Sequence, residues 1–215
     1  MSQPNLPFLS SYSLHFDEES HTYTLSRGGD NSPLRIPSVT QIINENGLYA
    51  SYARNKNAEG AMSRGRHIHK ITELFDQSLL GPMDVDGEDA GYLSAYSRFI
   101  VDHEFTPLII EEAMFHPAYL YAGKIDRIGI MKIGGEMIHA VVDIKTGGPH
   151  PATFLQLAAY MAMCKSQGNR VDRSYALHLT ADGDYRLLTD PNPDYSFAVF
   201  TAAITLHNWR SSIGK

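Results

Sequence analysis

Two strand-like segments between residues 121 and 146 each carry charged side chains among apolar neighbours. The first contains Asp126, and the second contains Asp143 and Lys145 within a β-branched run. An unpaired carboxylate is costly in such surroundings, so these residues need a chemical reason to be there. Side chains two residues apart on a strand share a face, which puts Asp143 beside Lys145. If the two strands are neighbours, both carboxylates and the lysine converge, which is the minimum needed to hold a divalent cation and a reacting phosphate.

A second group of charged residues lies upstream, on a segment with helical periodicity. Apolar residues at helical intervals predict a helix from Ser51 to about Leu80, on which His69 and Glu73 share a face. A lone histidine on such a helix is more often structural than a ligand. The segment also carries a basic cluster, which consists of Arg54, Lys56, Arg64, Arg66 and Lys70. By itself this cluster is typical of a solvated helix face, although it would also attract a polyanion.

The elements that must position these residues follow from periodicity and turn signals. A hairpin is predicted at 13–17 and 22–26, and Ser38 with Gln41 predicts a capping box that starts a helix ending near Gly47. The remaining elements are both helices and strands. They are a helix at 90–103, strands at 108–115, 120–130 and 136–145, a helix from 151 to about 164, a hairpin at 174–180 and 185–188, and a helix at 194–212.

Length and composition favour one globular domain. The 215 residues, of which 43% are hydrophobic and 20% charged, suit a single domain over 1–215, with the hairpin and helix of about 12–47 as an appendage. No segment has the apolar length of a membrane helix, and the N-terminus lacks a basic region followed by an apolar core. We therefore expect a cytoplasmic protein without a membrane partner. The formal net charge of −6 excludes a general attraction for nucleic acid. A single cysteine, Cys164, excludes a four-cysteine zinc or iron–sulfur site built by this chain alone.

The order and spacing of the motifs resemble the PD-(D/E)xK nuclease superfamily and, within it, the RecB-like and phage exonuclease branch. This resemblance implies an α/β (mixed α+β) fold with a restriction-endonuclease-like core, in which helices flank a central mixed sheet in the order αβββαβ. Each motif is weak alone, but five in the same order and spacing are specific. The matching segments are Gly65 to His69, an acidic strand position at Glu111 or Glu112, Gly123 to Asp126, Asp143 to Lys145, and Gln156 to Tyr160.

The resemblance also implies a role for each matching residue. Lys145 would orient the attacking water or stabilise charge on the phosphate, so Asp143 and Lys145 are interpreted as metal ligand and catalyst and not as a buried ion pair. Spacing favours Glu111 over Glu112 as the acidic ligand, and strand parity allows only one of them to face the site. The implied catalytic residues are Asp126, Asp143, Lys145, Gln156 and Tyr160. The implied metal ligands are His69, Glu111, Asp126, Asp143 and the backbone carbonyl of Ile144, and the basic cluster would bind DNA.

The expected activity is therefore hydrolysis of DNA phosphodiester bonds. Ligation mainly by oxygen favours Mg²⁺ or Mn²⁺ over zinc as the cofactor. The resemblance favours an exonuclease over an endonuclease, acting in phage or bacterial recombination or repair in the cytoplasm of a bacterium or infected host. A homo-oligomer and a recombination or replication protein are further partners compatible with that role. The alternatives are a catalytically silent nuclease-like module that binds DNA or a protein, and a metal phosphoesterase for small molecules.

Overall fold

The described part of the chain comprises residues 12–27, 33–49 and 58–213 of a computed structural model. These residues form a mixed α/β fold with a five-stranded mixed sheet, flanking helices and a separate three-stranded sheet. The strands are β1 (Tyr12–Asp17), β2 (Thr22–Arg27), β3 (Leu34–Ile36), β4 (Thr106–His116), β5 (Tyr121–Ile133), β6 (Glu136–Lys145), β7 (Arg173–Leu179) and β8 (Tyr185–Thr189). The helices are α1 (Val39–Glu45), α2 (Ala58–Asp76), α3 (Gly87–Asp102), α4 (Ala152–Ser166) and α5 (Pro193–Ile213).

The five-stranded sheet has the order β4-β5-β6-β7-β8. All neighbouring strands are antiparallel except β6 and β7, which are parallel and are joined through α4, because parallel neighbours need a crossover connection. Gly134 and Gly135 join β5 to β6 with φ angles of 59° and 89°. A two-residue hairpin loop of this kind requires positive φ at both positions, which glycine adopts without strain.

Helices cover both faces of this sheet. Val141 packs in a core with α1, α4 and α5, whereas the next residue, Val142, packs in a core with α2 and α3. The alternation along β6 therefore delivers apolar side chains to both layers, which explains the continuous apolar run that the sequence shows. None of the helices in the described ranges is long and apolar enough to cross a membrane.

The N-terminal segment differs in part from its prediction. The hairpin is present as β1 and β2, and β3 extends it, which the sequence did not predict. Ser38 caps α1, since its Oγ accepts the Gln41 N–H at 3.0 Å, but the Gln41 side chain donates to Glu45 and not back to Ser38. Helix α1 was expected in an appendage together with the hairpin, yet its Val39, Ile42 and Ile43 are fully buried in the core with α4 and α5. The apolar face formed by these three residues is removed from water by packing in the core, as expected for an amphipathic helix.

The other predicted elements are present with shifted ends. Strand β5 runs on to Ile133 because the two glycines, and not Lys132, form the turn. The long predicted helix at 51–80 is α2, which ends at Asp76, and residues 50–57 lie outside the described ranges.

Gly91 provides a test of how α3 packs on the central sheet. A Cβ atom at this position would overlap the backbone carbonyl of Ala181, in the turn between β7 and β8. Because backbone cannot move aside as a flexible side chain can, we expect Gly91→Ala to lower the free energy of unfolding by about 1–3 kcal/mol in urea denaturation. Gly60→Ala is the control, since a Cβ there meets nothing within 4 Å. It should leave stability unchanged or raise it by up to about 1 kcal/mol, and equal stabilities for both variants would contradict this packing.

Candidate functional site

Three side chains from three different elements meet beside the central sheet. His69 of α2, Glu111 of β4 and Asp126 of β5 offer ligand atoms that all lie within 4.8 Å of one another. His69 Nδ1 is 3.4 Å from Glu111 Oε1 and 3.5 Å from Asp126 Oδ1. His69 Nε2 is 3.0 Å from the carbonyl oxygen of Ile144. Four of the five groups that the sequence predicted as metal ligands are therefore close together.

Asp126 lies where two central strands separate. The ladder between β5 and β6 runs from Ile133 and Glu136 to Arg127 and Val142, and Asp126 and Asp143 are the first residues beyond its last pair. Past this point β6 continues to pair with β7. The Asp126 Oδ2 atom accepts the Ile144 N–H at 2.7 Å. This carboxylate oxygen thus replaces the backbone carbonyl of β5 that would accept the Ile144 N–H if the ladder continued. This fork holds the Asp126 side chain in a single orientation and leaves Oδ1 directed toward His69.

Glu111 is aimed at the site by an unusual backbone conformation. Its φ angle is 51°, which is uncommon for a residue other than glycine and costs about 1–3 kcal/mol. Its neighbours Ile110 and Glu112 pair regularly with β5. The structure brings Glu111, and not the exposed Glu112, to His69 and Asp126, which parity alone left open. Strain of this kind is often found at functional sites, where surrounding contacts hold it in place.

Two basic side chains of β5 hold the Glu111 carboxylate. Arg127 donates to its Oε1 at 2.9 Å, and Lys124 Nζ lies 3.1 Å from its Oε2. Burial raises the pKa of Glu111, but the nearby charges of His69, Arg127 and Lys124 outweigh burial and lower that pKa to about 2. Glu111 is therefore ionised throughout the physiological pH range.

Arg127 connects this carboxylate to the helix that carries His69. Its fully buried guanidinium donates to Asp76 at 2.5 Å, to Thr72 at 3.2 Å and to the backbone carbonyl of Asp126 at 2.6 Å. Tyr96 donates to the same Asp76 oxygen at 2.7 Å. Sequence reasoning missed Arg127. The signal was present, because an arginine on an apolar strand next to Asp126 needs compensation just as the aspartate does.

A second chain of contacts runs from β6 to α4. Lys145 Nζ lies 2.7 Å from Asp143 Oδ2 and donates to Gln156 Oε1 at 3.1 Å, and Gln156 donates to the hydroxyl of Tyr160 at 3.0 Å. The sequence interpretation set the ion pair aside, whereas in the structure Asp143 and Lys145 are in ionic contact. Apart from this ionic contact, the buried Asp143 Oδ2 has no hydrogen-bond partner among the described residues. Asp143 is not one of the three residues in the 4.8 Å cluster.

The electrostatics of the site are dominated by crowded carboxylates. Burial, together with the charges of Asp143 and Glu111, raises the pKa of Asp126 to about 6 against the opposing charge of His69. Burial would lower the pKa of His69, but Asp126 and Glu111 raise it to about 9. Burial would likewise lower the pKa of Lys145, but Asp143 and Asp126 raise it to about 12. Both cations therefore stay protonated at neutral pH in the absence of a metal ion.

Two further residues shape the site without belonging to its predicted set. The Tyr49 hydroxyl donates to Gln156 Oε1 at 3.4 Å, and no sequence signal marked Tyr49. Gly123 makes room for Tyr160, because a Cβ at Gly123 would lie 2.6 Å from the tyrosine ring. The glycine of one predicted motif thus allows the tyrosine of another to approach.

The basic cluster is only partly brought to the site. Arg54 and Lys56 lie outside the described residues. Arg66 is exposed and lies three residues before His69, hence on the same side of α2. Lys70 is exposed, but its Nζ lies 2.9 Å from Glu73, and half-buried Arg64 lies on another side of the helix.

The donor set fits a hard divalent cation. Carboxylate and carbonyl oxygens are the ligands that Mg²⁺ and Mn²⁺ prefer, and here one imidazole accompanies them. The Asp143 carboxylate is paired with Lys145 and keeps further lone pairs that can bind a cation. A bound cation would also offset the repulsion between the carboxylates.

Comparison with known proteins adds no relative to this picture. No family model matches the sequence, and a search of curated proteins found no match. The chemistry of the site therefore has to be inferred from its own residues and their geometry.

Removing Arg127 should destabilise the protein strongly. The Arg127→Met substitution leaves Asp76 and Glu111 buried without their shared cation. Breaking a buried ion pair from one side costs about 3–5 kcal/mol, so we expect a loss of that size in the free energy of unfolding measured by urea denaturation. Arg98→Met is the matched control, because the exposed Arg98 pairs with the exposed Asp184 and should contribute little. Equal losses for both variants would show that the buried network does not stabilise the fold.

Metal affinity should distinguish the two neighbouring glutamates. We expect Glu111→Gln to weaken Mn²⁺ binding at least about tenfold in isothermal titration calorimetry, because cation affinity depends on the number of charged ligands. Glu112→Gln, the control, should bind Mn²⁺ as the wild type does, since this side chain is exposed on the strand. Far-ultraviolet circular dichroism verifies that both variants are folded. Unchanged affinity in Glu111→Gln would remove Glu111 from the ligand set.

Proposed function

We propose that this chain is a divalent-metal-dependent DNA phosphodiesterase of the PD-(D/E)xK superfamily, in its RecB-like and phage exonuclease branch. The observation that carries the proposal is the convergence at the fork between β5 and β6. There Asp126 and Asp143 lie beside a protonated Lys145, with His69 and Glu111 next to Asp126. Two carboxylates and a lysine are the groups that metal-assisted phosphodiester hydrolysis needs.

The element order supports a restriction-endonuclease-like core. Helix α3 is followed by β4, β5 and β6, then by α4 and β7, which is the predicted order of helix, three strands, helix and strand. The sheet order places β6, which bears Asp143 and Lys145, between β5 and β7. Asp126, Asp143 and Lys145 are therefore on its inner strands β5 and β6.

The residues that would hold the cation are Asp126, Asp143, Glu111, His69 and the carbonyl of Ile144. When bound, Mg²⁺ or Mn²⁺ would supply an activated water and offset the negative charge of the transition state. His69 Nε2 donates to Ile144 while it is protonated, so either nitrogen must release a proton before it can act as a ligand.

Lys145 acts in this proposal through its positive charge. In the absence of a metal ion, Asp143 and Asp126 raise the pKa of Lys145 and keep its amine protonated, which suits it to contact a phosphate oxygen. Gln156 accepts from Lys145 and donates to Tyr160, so it holds the lysine beside Asp143. Gln156 and Tyr160 are therefore positioning residues for the ammonium group.

DNA as the substrate depends on the resemblance and on the basic residues of α2. Arg66 lies on the side of α2 that carries His69 and would bring a polyanion toward the site despite a net charge of −6. Exonuclease action is proposed on the same grounds, as is a role in phage or bacterial recombination or repair in the cytoplasm. A homo-oligomer or a recombination or replication protein remains the proposed partner.

The direct test is incubation with end-labelled linear DNA and with closed circular DNA in the presence of Mg²⁺ or Mn²⁺. We expect cleavage that EDTA abolishes, and degradation of linear but not circular DNA if the action is exonucleolytic. Asp143→Asn and Lys145→Met should lower the rate by about 10²-fold or more, because the first removes a charged metal ligand and the second removes a positive charge that faces the reacting phosphate. Lys165→Met, at the exposed end of α4, is the matched control and should retain activity.

Two outcomes would contradict this function. Cleavage that survives EDTA, or that survives both Asp143→Asn and Lys145→Met, would exclude the mechanism. Tight DNA binding without cleavage under any metal condition would favour the catalytically silent module instead.

A further inference from the structure

A small pocket lies beside the catalytic strand and is separate from the metal ligands. Its volume is about 180 Å³, which is below the roughly 300–1,000 Å³ that drug-sized ligands occupy. It lies between the loop that follows β6, the first turn of α4, and the strands β7 and β8. The residues that define it are Pro149, Pro151, Phe154, Ala176, His178 and Leu188.

The strand register places this pocket next to the reacting groups. In the parallel pair of β6 and β7, Asp143 is the partner of Ala176, and Lys145 is the partner of His178. Partners in neighbouring strands lie about 4.8 Å apart and point to the same face. The pocket wall formed by Ala176 and His178 is therefore one strand spacing away from Asp143 and Lys145.

His178, which lines the pocket, has a buried ring nitrogen without a hydrogen-bond partner among the described residues. Its Nδ1 lies 2.8 Å from the carbonyl oxygen of Gly147, and a carbonyl can only accept, so Nδ1 carries the proton. In the neutral ring Nε2 is then an acceptor. His178 is only 5% exposed, and its Nε2 has no hydrogen-bond partner within the described ranges. A buried acceptor without a partner is costly, so a ligand donor that reaches Nε2 from the pocket would be favoured.

We infer that this pocket receives one nucleobase of the DNA substrate, from a nucleotide next to the cleaved phosphodiester. The inference rests on the proposed function and adds a binding site to it. A base has flat apolar faces that would pack against Phe154 and the two prolines. Every DNA base also has an N–H group that can donate to His178 Nε2. The pocket would therefore accept all four bases and position the strand without reading its sequence.

The aromatic residue Tyr49 links the pocket to the catalytic groups. Its ring lies 4.9 Å from that of His150, which also lines the pocket, and its hydroxyl donates to Gln156. Gln156 in turn accepts from Lys145. A base in the pocket would thus contact His150, whose ring lies beside Tyr49, and Tyr49 is bonded to the glutamine that holds the lysine.

The test uses DNA substrates in which a single abasic nucleotide is moved stepwise past the cleavage position. We expect kcat/KM of the wild type to fall about tenfold at one position, where the missing base would have entered the pocket, and to change little elsewhere. His178→Asn retains a donor for Gly147 but lacks the Nε2 acceptor, and Leu188→Trp fills the pocket. On intact DNA both variants should fall toward the wild-type value for that abasic substrate.

On the sensitive abasic substrate itself, His178→Asn and Leu188→Trp should cause no further loss, because the base they would affect is already absent. His103→Asn is the matched control, since His103 Nδ1 also lies against a backbone carbonyl, that of Lys132 at 3.1 Å, away from the pocket. It should behave as the wild type on all substrates. Thermal unfolding verifies that each variant is folded.

The outcomes separate this inference from the function it depends on. If the wild type cleaves DNA but the abasic scan is flat, or if the variants lose equal activity on intact and abasic DNA, the pocket does not bind a base and the phosphodiesterase stands. If the wild type cleaves no DNA at all, the proposed function fails and the inference fails with it.

Discussion

Compensation of buried negative charge is the constraint on which the centre of this protein depends. Glu111, Asp126 and Asp143 lie in or near one cluster, and each would be costly to bury alone. Arg127 and Lys145 supply positive charge from the same strands that carry the aspartates, and His69 supplies it from α2. Because Arg127 also bonds Asp76 and Thr72, the helix that delivers His69 is attached to the strand that delivers Asp126. The ionic network therefore fixes the position of α2 relative to the sheet and also neutralises the buried carboxylates.

The same constraint explains why a structural and a chemical role can coincide. Asp143 and Lys145 form an ion pair, yet the ammonium is partly exposed and the carboxylate keeps lone pairs that can bind a cation. A protonated His69 between Glu111 and Asp126 likewise places positive charge where a cation would be held. A metal ion entering this site would take over charge compensation that the side chains provide in its absence, so its binding and the release of the His69 proton are linked.

The fork between β5 and β6 creates room for this chemistry. Regular pairing would have placed Asp126 and Asp143 as direct neighbours, but the ladder ends before them and the Asp126 side chain accepts the Ile144 N–H. Beyond the fork, β6 pairs only with β7, and the small pocket at His178 lies along that remaining edge. The cluster of His69, Glu111 and Asp126 and the small pocket are thus on opposite sides of the strand that bears Asp143 and Lys145.

Much of this centre could be predicted from the sequence by itself, for a local reason. Strand periodicity and the cost of isolated charge marked Asp126, Asp143 and Lys145, and helical spacing put Gln156 and Tyr160 on one face, where they now bond each other. Only the tertiary structure decided between Glu111 and Glu112. The choice depends on the positive φ angle of Glu111, which cannot be predicted from residue spacing. It also decided that α1 belongs to the core, that Tyr49 meets Gln156, and that His178 lies beside Lys145. These contacts join residues far apart in the chain, and their geometry follows from how the layers pack and not from any local pattern.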